Sequence, residues 1–185
     1  MNFIKKLLTV FSIGTFFFVF SSGIISAEDN LISKQSTEIN SFELFWPVVA
    51  GKTMDDPLYF LKTLKETLRG MLIFGKAQKA EYAVLLSTKR VVEAERLINE
   101  GKNDLADKTL EQASVQLDKA GSDLDKASAD KISFQNEATD IVNKLSNLEN
   151  FIPWLISKTD KNHNALIKVF QKVGADKKKL VAPKN

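Results

Sequence analysis

The sequence predicts an all-α protein: an elongated antiparallel helical bundle with a long, coiled-coil-like third helix. Three observations lead there. Apolar residues recur at alternating three- and four-residue steps through most of residues 58–173, the spacing of helices that keep one face buried. Start and stop signals divide that run into segments. Alternation of period two nowhere extends far enough to build a sheet.

The N-terminus is read first. Lys5 and Lys6 form a short basic region, and Leu7 to Ile25 carry no charge. Ile25-Ser26-Ala27 then places a small residue just before Glu28 and Asp29. That layout is a secretory signal peptide over residues 1–27, cut after Ala27. The competing reading is an uncleaved N-terminal membrane anchor, since the apolar run is long enough to span a bilayer. In both cases the lysines stay inside and the remainder is exported, secreted or held at the outer face of the cytoplasmic membrane. The chain has no cysteine, so its stability must come from core packing without disulfides. Losing Lys5 and Lys6 takes the formal charge from +3 to +1 (3 − 2), so no nucleic-acid partner is expected.

Residues 28–45 are polar and weakly patterned and read as a linker, with Phe42, Leu44, Phe45 and Trp46 docking on the domain edge. Asp55-Asp56-Pro57 announces helix one, an Asp cap followed by Pro at the first helical position, where no donor is lost. Leu58, Leu61, Leu64, Leu68 and Leu72 carry it to about Phe74, and helix one is expected to cover helices two and three near the domain's base. Gly70 inside it marks close packing or an early end. Helix two runs from Lys76 to about Glu100 on a seam of Ala77, Ala80, Val84, Ser87, Val91, Ala94 and Ile98, with Gly101 at the C′ position.

Helix three alternates small and large at Ala106, Leu110, Ala113, Leu117, Ala120, Leu124 and Ala127. The register carries on through Lys131, Phe134, Ala138, Ile141, Leu145, Leu148, Ile152 and Leu155. Unbroken from Asp104 to Phe151 it is roughly 70 Å long; Gly121 to Lys131 is where a kink or break would fall. Pro153 sets a boundary, or at least a bend, near Ile152. A helical extension occupies 128–174, with a last helix to about Val173, and 175–185 reads as a basic disordered tail.

Two motifs carry a family resemblance. The first is Asp56-Pro57-Leu58-Tyr59-Phe60-Leu61-Lys62. The second runs from Lys89 to Ala106 and contains Arg90, Glu93, Ala94, Gly101 and Leu105. Over residues 46–127 the chain resembles a bacterial family of helical domains of unknown function, the 5667-type family. The resemblance implies an exported helical domain, in some relatives the outward-facing part of anti-sigma factors. It implies no reaction, and no cytoplasmic domain precedes the hydrophobic segment here, which argues against direct sigma-factor binding.

No chemistry of an enzyme is written in the chain. There is no phosphate loop after a strand, no G-x-S-x-G and no H-E-x-x-H. His163 is the single histidine; with Asp160 it makes too small a donor set for a bundle metal site. The carboxylate pairs Glu93/Glu95 and Asp123/Asp125 point to different helix faces. Neither a catalytic residue, a metal nor a cofactor is expected. Arg90, Glu93, Glu95 and Arg96 form a mixed-charge cluster that reads as helix support, with a salt bridge to helix one through Glu66 or the Asp55-Asp56 cap. The alternative is an interaction patch of Trp46, Tyr59, Arg90 and Arg96. Lys177, Lys178 and Lys179 offer weak contact with an anionic membrane or wall polymer, or simply solvate the terminus.

The functional expectation is therefore a non-enzymatic envelope protein that presents a helical face to a protein partner or to itself. The runner-up is an extracytoplasmic sensor binding a small molecule or wall fragment between helices. An assembly protein should leave an apolar stripe on the long helix uncovered, whereas a sensor should hold a pocket near Trp46, Tyr59 and Arg90.

Overall fold

The computed structural model describes residues 38–129 and 134–181. The leader expected over 1–27, its cut at Ala27, linker residues 28–37, Lys131 and residues 182–185 lie outside the described residues. The described chain is helical throughout: α1 Ser41–Phe45, α2 Tyr59–Met71, α3 Lys76–Asn99, α4 Asn103–Ala129, α5 Gln135–Lys158 and α6 His163–Val181. No strand occurs among the described residues.

Helices α3 to α6 make a four-helix bundle. The pairs that pack closely are α3 with α4, α4 with α6, α6 with α5, and α5 with α3. Short turns make α3/α4 and α5/α6 antiparallel, as their connection lengths predict. The other two sides are parallel, and their polar ties show the register. Asn162, just before α6, and Lys172 and Lys179 of α6 bond Asp107, Asp118 and Asp125 of α4 in the same chain direction. Gln78 and Glu81 of α3 meet Glu137 and Lys144 of α5 likewise.

The expected seams form the core. Ala80, Val84, Ser87, Val91 and Ala94 on α3 are fully buried, and so are Leu110, Leu117, Ile141, Leu145, Leu148, Leu155, Leu166 and Val169 on the other three helices, to within 1%. The α3 stop is as predicted. Gly101 has φ 73°; its N–H bonds the Ile98 carbonyl at 2.9 Å, and the Lys102 N–H bonds that of Leu97 at 2.8 Å. This paired closure satisfies two carbonyls at the helix end and needs a residue at ease with positive φ.

Several boundaries differ from expectation, each for a packing reason. The long heptad run is not one helix but two, and the break opens inside the expected Gly121 to Lys131 window: α4 passes through Gly121 and ends at Ala129, and α5 begins at Gln135. The apolar register is kept across the reversal, so periodicity alone does not reveal it. Pro153 ends nothing; α5 continues to Lys158 with Pro153 exposed inside it, because Phe151, Ile152 and Leu155 bury the helix on both sides of the lost hydrogen bond. The segment read as the end of the linker is part of the fold. Asn40 caps α1 by accepting from the Phe42 N–H at 3.0 Å, and Phe45 is buried edge-on against Phe151 at 5.2 Å between ring centroids. Leu44 packs on the core as expected, while Phe42 and Trp46 stay exposed.

The tail is also folded as far as Val181. Lys177 pairs with Glu149, and Lys179 bonds both Asp125 and the Gly121 carbonyl. Gly121 is a close-approach position rather than a kink: a Cβ there would lie 2.5 Å from Asp176 Oδ1. Burial of Asp176 between α4 and α6 pushes its carboxyl up to about 6, helped by Asp118 and Asp125 and opposed by Lys179 and Lys172. A raised carboxyl means the folded state binds the extra proton between 3.8 and about 6, so its contribution to stability declines as pH rises through that window. Asp176→Asn is expected to be more stable than the parent above the window, by about 2–3 kcal/mol at most, and to flatten the pH dependence. Urea melts below, inside and above the window check this; an unchanged difference across it would show that Asp176 does not titrate there.

Candidate functional site

The site is built on α2 and the face of α3 beneath it. Asp56 shapes the entry: its side chain accepts from the Leu58 N–H and from Lys52 Nζ, both at 2.7 Å. This Asx-type turn replaces the expected Asp cap, and α2 starts at Tyr59, two residues after Pro57. The neighbouring Asp55 serves tertiary structure instead, accepting from Lys102 Nζ at 2.5 Å, which holds its carboxyl down to about 2. At the other end α2 stops at Met71, ahead of the expected Phe74.

Tyr59, Lys62, Thr63, Glu66 and Gly70 recur at helical spacing and make the bundle-facing side of α2. Under them α3 presents Lys89, Arg90 and Glu93. Arg90 Nη1 lies 3.0 Å from both Glu93 oxygens, and Nη2 bonds Glu66. Lys89 Nζ reaches the other Glu66 oxygen at 2.6 Å. Lys62 bonds Glu93 and donates to the Lys52 carbonyl at 2.7 Å. Tyr59 donates to Gln112 of α4 at 2.8 Å, and its ring lies under both Arg90 and Lys62. Gly70 lets Tyr82 approach, with a Cβ position 3.3 Å from that ring, while the Tyr82 hydroxyl donates to the Glu66 carbonyl at 3.0 Å. The predicted link from Arg90 to helix one through Glu66 is present.

Burial sets the electrostatics here. It raises Glu93, which Arg90 and Lys62 only partly offset, and it lowers Lys62 against the pull of Glu93. Burial also works against ionising Glu66, yet Lys89 and Arg90 together outweigh it and hold that carboxyl low. Burial pushes Tyr59 up to about 12. Every charge in the cluster thus has a partner, as buried charges require.

Turning its polar side inward leaves α2 with its apolar side outward. Leu61, Leu64, Leu68 and Leu72 are 49–74% exposed, flanked by Phe60 at 60% and Phe74 at 84%. Helix one does lie over helices two and three, but its leucine stripe faces away from them, and Glu66 is the buried residue of the helix. The charges on α3 account for this inversion: apolar contact there would leave buried Arg90 and Glu93 with only each other and take away Glu66 and Lys62. The long helix, by contrast, keeps no uncovered stripe among its described seam residues.

Between α2, α3 and α4 lies an open groove of about 920 Å³. Arg90 and Glu66 line it with Tyr82, Gln112 and Asp123; Trp46 and Tyr59 are not in its lining. The anticipated patch of Trp46, Tyr59, Arg90 and Arg96 does not form one surface. Arg90 is buried beneath α2, Trp46 stands exposed beside Phe42, and Arg96 bonds Glu100 at 2.8 Å and the Gly51 carbonyl at 3.1 Å. Of the remaining motif residues, Ala94 is core, Leu105 packs at its margin, and Leu58, Leu61 and Pro57 are exposed. His163 contacts the Thr159 carbonyl at 2.5 Å, and among the described residues no group of three or more His, Cys, Asp or Glu is placed to hold a metal ion. Sequence reasoning missed Gln112 as the Tyr59 partner and the outward face of α2. The second left a trace, since Tyr59, Lys62, Glu66 and Gly70 repeat with the same period as the leucines.

A family profile, the domain of unknown function DUF5667, matches residues 51–154. The chain belongs to this family. The match ends at 154 rather than 127, so the DUF5667 region takes in α2, α3, α4 and most of α5. The whole α2–α3 charge cluster falls inside it. No match is found among curated proteins or among solved structures.

Proposed function

We propose that this DUF5667 protein is a non-enzymatic interaction module of the bacterial cell envelope, exported from the cell, whose working surface is the outward apolar side of α2. The observation behind it is the inversion of that helix. A strongly amphipathic helix is pinned by five charged side chains with its leucines in solvent, and a contiguous exposed apolar stripe marks an interaction face. The basic n-region and uncharged run of residues 5–25 support export.

The cysteine-free sequence makes a direct test available. Leu64→Cys and Asp140→Cys each introduce one thiol, on α2 and on an exposed part of α5 respectively. A membrane-impermeant maleimide is expected to label both in the purified protein. In intact cells it should label Asp140→Cys, while Leu64→Cys reacts several-fold more slowly because its face is covered. Equal labelling of the two in cells would sink the interaction surface; no labelling of either until the cells are lysed would sink export.

The groove favours a second reading, a sensor-like domain for a small molecule or wall fragment, because Gln116 Oε1 and Asp123 Oδ2 are buried there without hydrogen-bond partners. A ligand in the groove would leave Leu64→Cys labelling in cells unprotected.

A further inference from the structure

We infer that the surface covering α2 is an anionic lipid membrane, onto which the helix lays its leucine stripe. The inference rests on the reading of α2 as an interaction face and names what lies against it.

Charge selects the partner. Between Leu58 and Lys79 the chain carries five basic residues, Lys62, Lys65, Arg69, Lys76 and Lys79, against the single acid Glu66. Glu66 is buried and bonded to Arg90 and Lys89, so no carboxylate of α2 faces outward. Lys65 and Arg69 are exposed beside the stripe, and Arg69 rests over the Tyr82 ring, 5.4 Å from its centroid. An apolar face edged by cations alone is what an interfacial helix on anionic lipid requires: acyl chains take up the leucines and headgroup phosphates the cations.

The same arrangement disfavours a second copy. Two α2 stripes pressed together would bring Lys65 and Arg69 of both chains into one interface with no acid of α2 between them, and like charges at that range repel. The C-terminal end of α2 strengthens the lipid reading. Leu72 and Phe74 there are the most exposed of its apolar residues. Lys76 and Lys79 follow at once, and the adjoining groove adds Lys108, Lys119 and Lys126 against Glu111 and Asp123, the latter paired with Lys126. Of the basic tail expected to touch a membrane, Lys177 and Lys179 are instead spent on Glu149 and Asp125. The lipid-facing charge has its place on α2.

The test uses the chain from Glu28, the product of cleavage after Ala27, which contains every buried core residue from Phe45 to Val173. It is sedimented with vesicles of phosphatidylglycerol and phosphatidylcholine in equal parts, and with phosphatidylcholine alone. Binding is expected to the first, to be weaker by about tenfold on the second, and to fall as salt rises. Leu64→Asn with Leu68→Asn should abolish it, and Lys65→Glu should weaken it, both with helicity unchanged by circular dichroism. These residues are solvent-facing, so the fold does not depend on them. Absence of binding to the anionic vesicles overturns the proposal, as does binding that survives the double asparagine change. If light scattering then shows a dimer that the double change dissolves, the lipid is wrong and the α2 interaction face stands. If the chain is monomeric, binds no vesicle and shows no protection of Leu64→Cys in cells, both fall.

Discussion

Arg90→Ala is expected to destabilise the domain by about 3–5 kcal/mol, the cost of removing one member of a buried ionic cluster. Arg90 is the hub: it bonds Glu93 through Nη1 and Glu66 through Nη2 and lies over the Tyr59 ring. Without it, two buried carboxylates share one site with only Lys62 and Lys89 to offset them. Glu93, fully buried and already raised by burial, would then be raised further or drag water inward. Urea unfolding followed by circular dichroism measures the loss. Trypsin cleavage at Lys62 and Lys65 separates its parts, since α2 should be released before the bundle unfolds. A double change with Glu66→Gln is expected to cost less than the sum of the singles, because the two residues share a bond. A loss below about 1 kcal/mol would place Arg90 among ordinary surface charges and remove the physical reason for the inverted helix.

Phe151→Ala should cost a comparable amount, about 3–5 kcal/mol. Its ring is fully buried in α5, edge-on to Phe45 of α1 and 5.3 Å from the Trp154 ring. Truncation opens a cavity at an aromatic cluster that joins α1 to the bundle. The signature is therefore double: a lower melting temperature, and a changed environment for Trp154 in the near-ultraviolet spectrum. Phe45→Ala should reproduce the spectral change at smaller cost, as the bundle beneath it remains whole. If Phe151→Ala left stability intact, α1 would be a loose appendage and the segment before Trp46 a linker after all.

These two sites differ in how far the sequence disclosed them. The tie from the Arg90 cluster to helix one was legible, but only as a choice between Glu66 and the Asp55-Asp56 cap, because a mixed-charge cluster on one helix seeks partners on its neighbour. The docking of Phe45 on Phe151 was legible in outline, since four apolar residues gather at the end of a polar stretch. The direction in which α2 faces was not. Its leucines and its polar residues are both periodic, and periodicity states only that a helix has two sides. Which side turns inward depends on what the surface beneath offers, and α3 offers Lys89, Arg90 and Glu93 rather than a bare apolar patch.

What the sequence by itself determined is the all-helical class, the bundle seams and the stop at Gly101. Each follows from local rules: the helical period, the small and large residues along one face, and a turn whose positive φ suits glycine. The tertiary structure alone decided where within Gly121 to Lys131 the long heptad run breaks, the helix that continues through Pro153, the folded C-terminal segment to Val181 and the outward leucines of α2. In each of these, contacts between residues far apart in the chain outweigh a local preference: buried side chains on both sides of Pro153, ion pairs of Lys177 and Lys179, and a charged cluster assembled from two helices. Local chemistry writes the elements, and the pairing of buried groups chooses how they face.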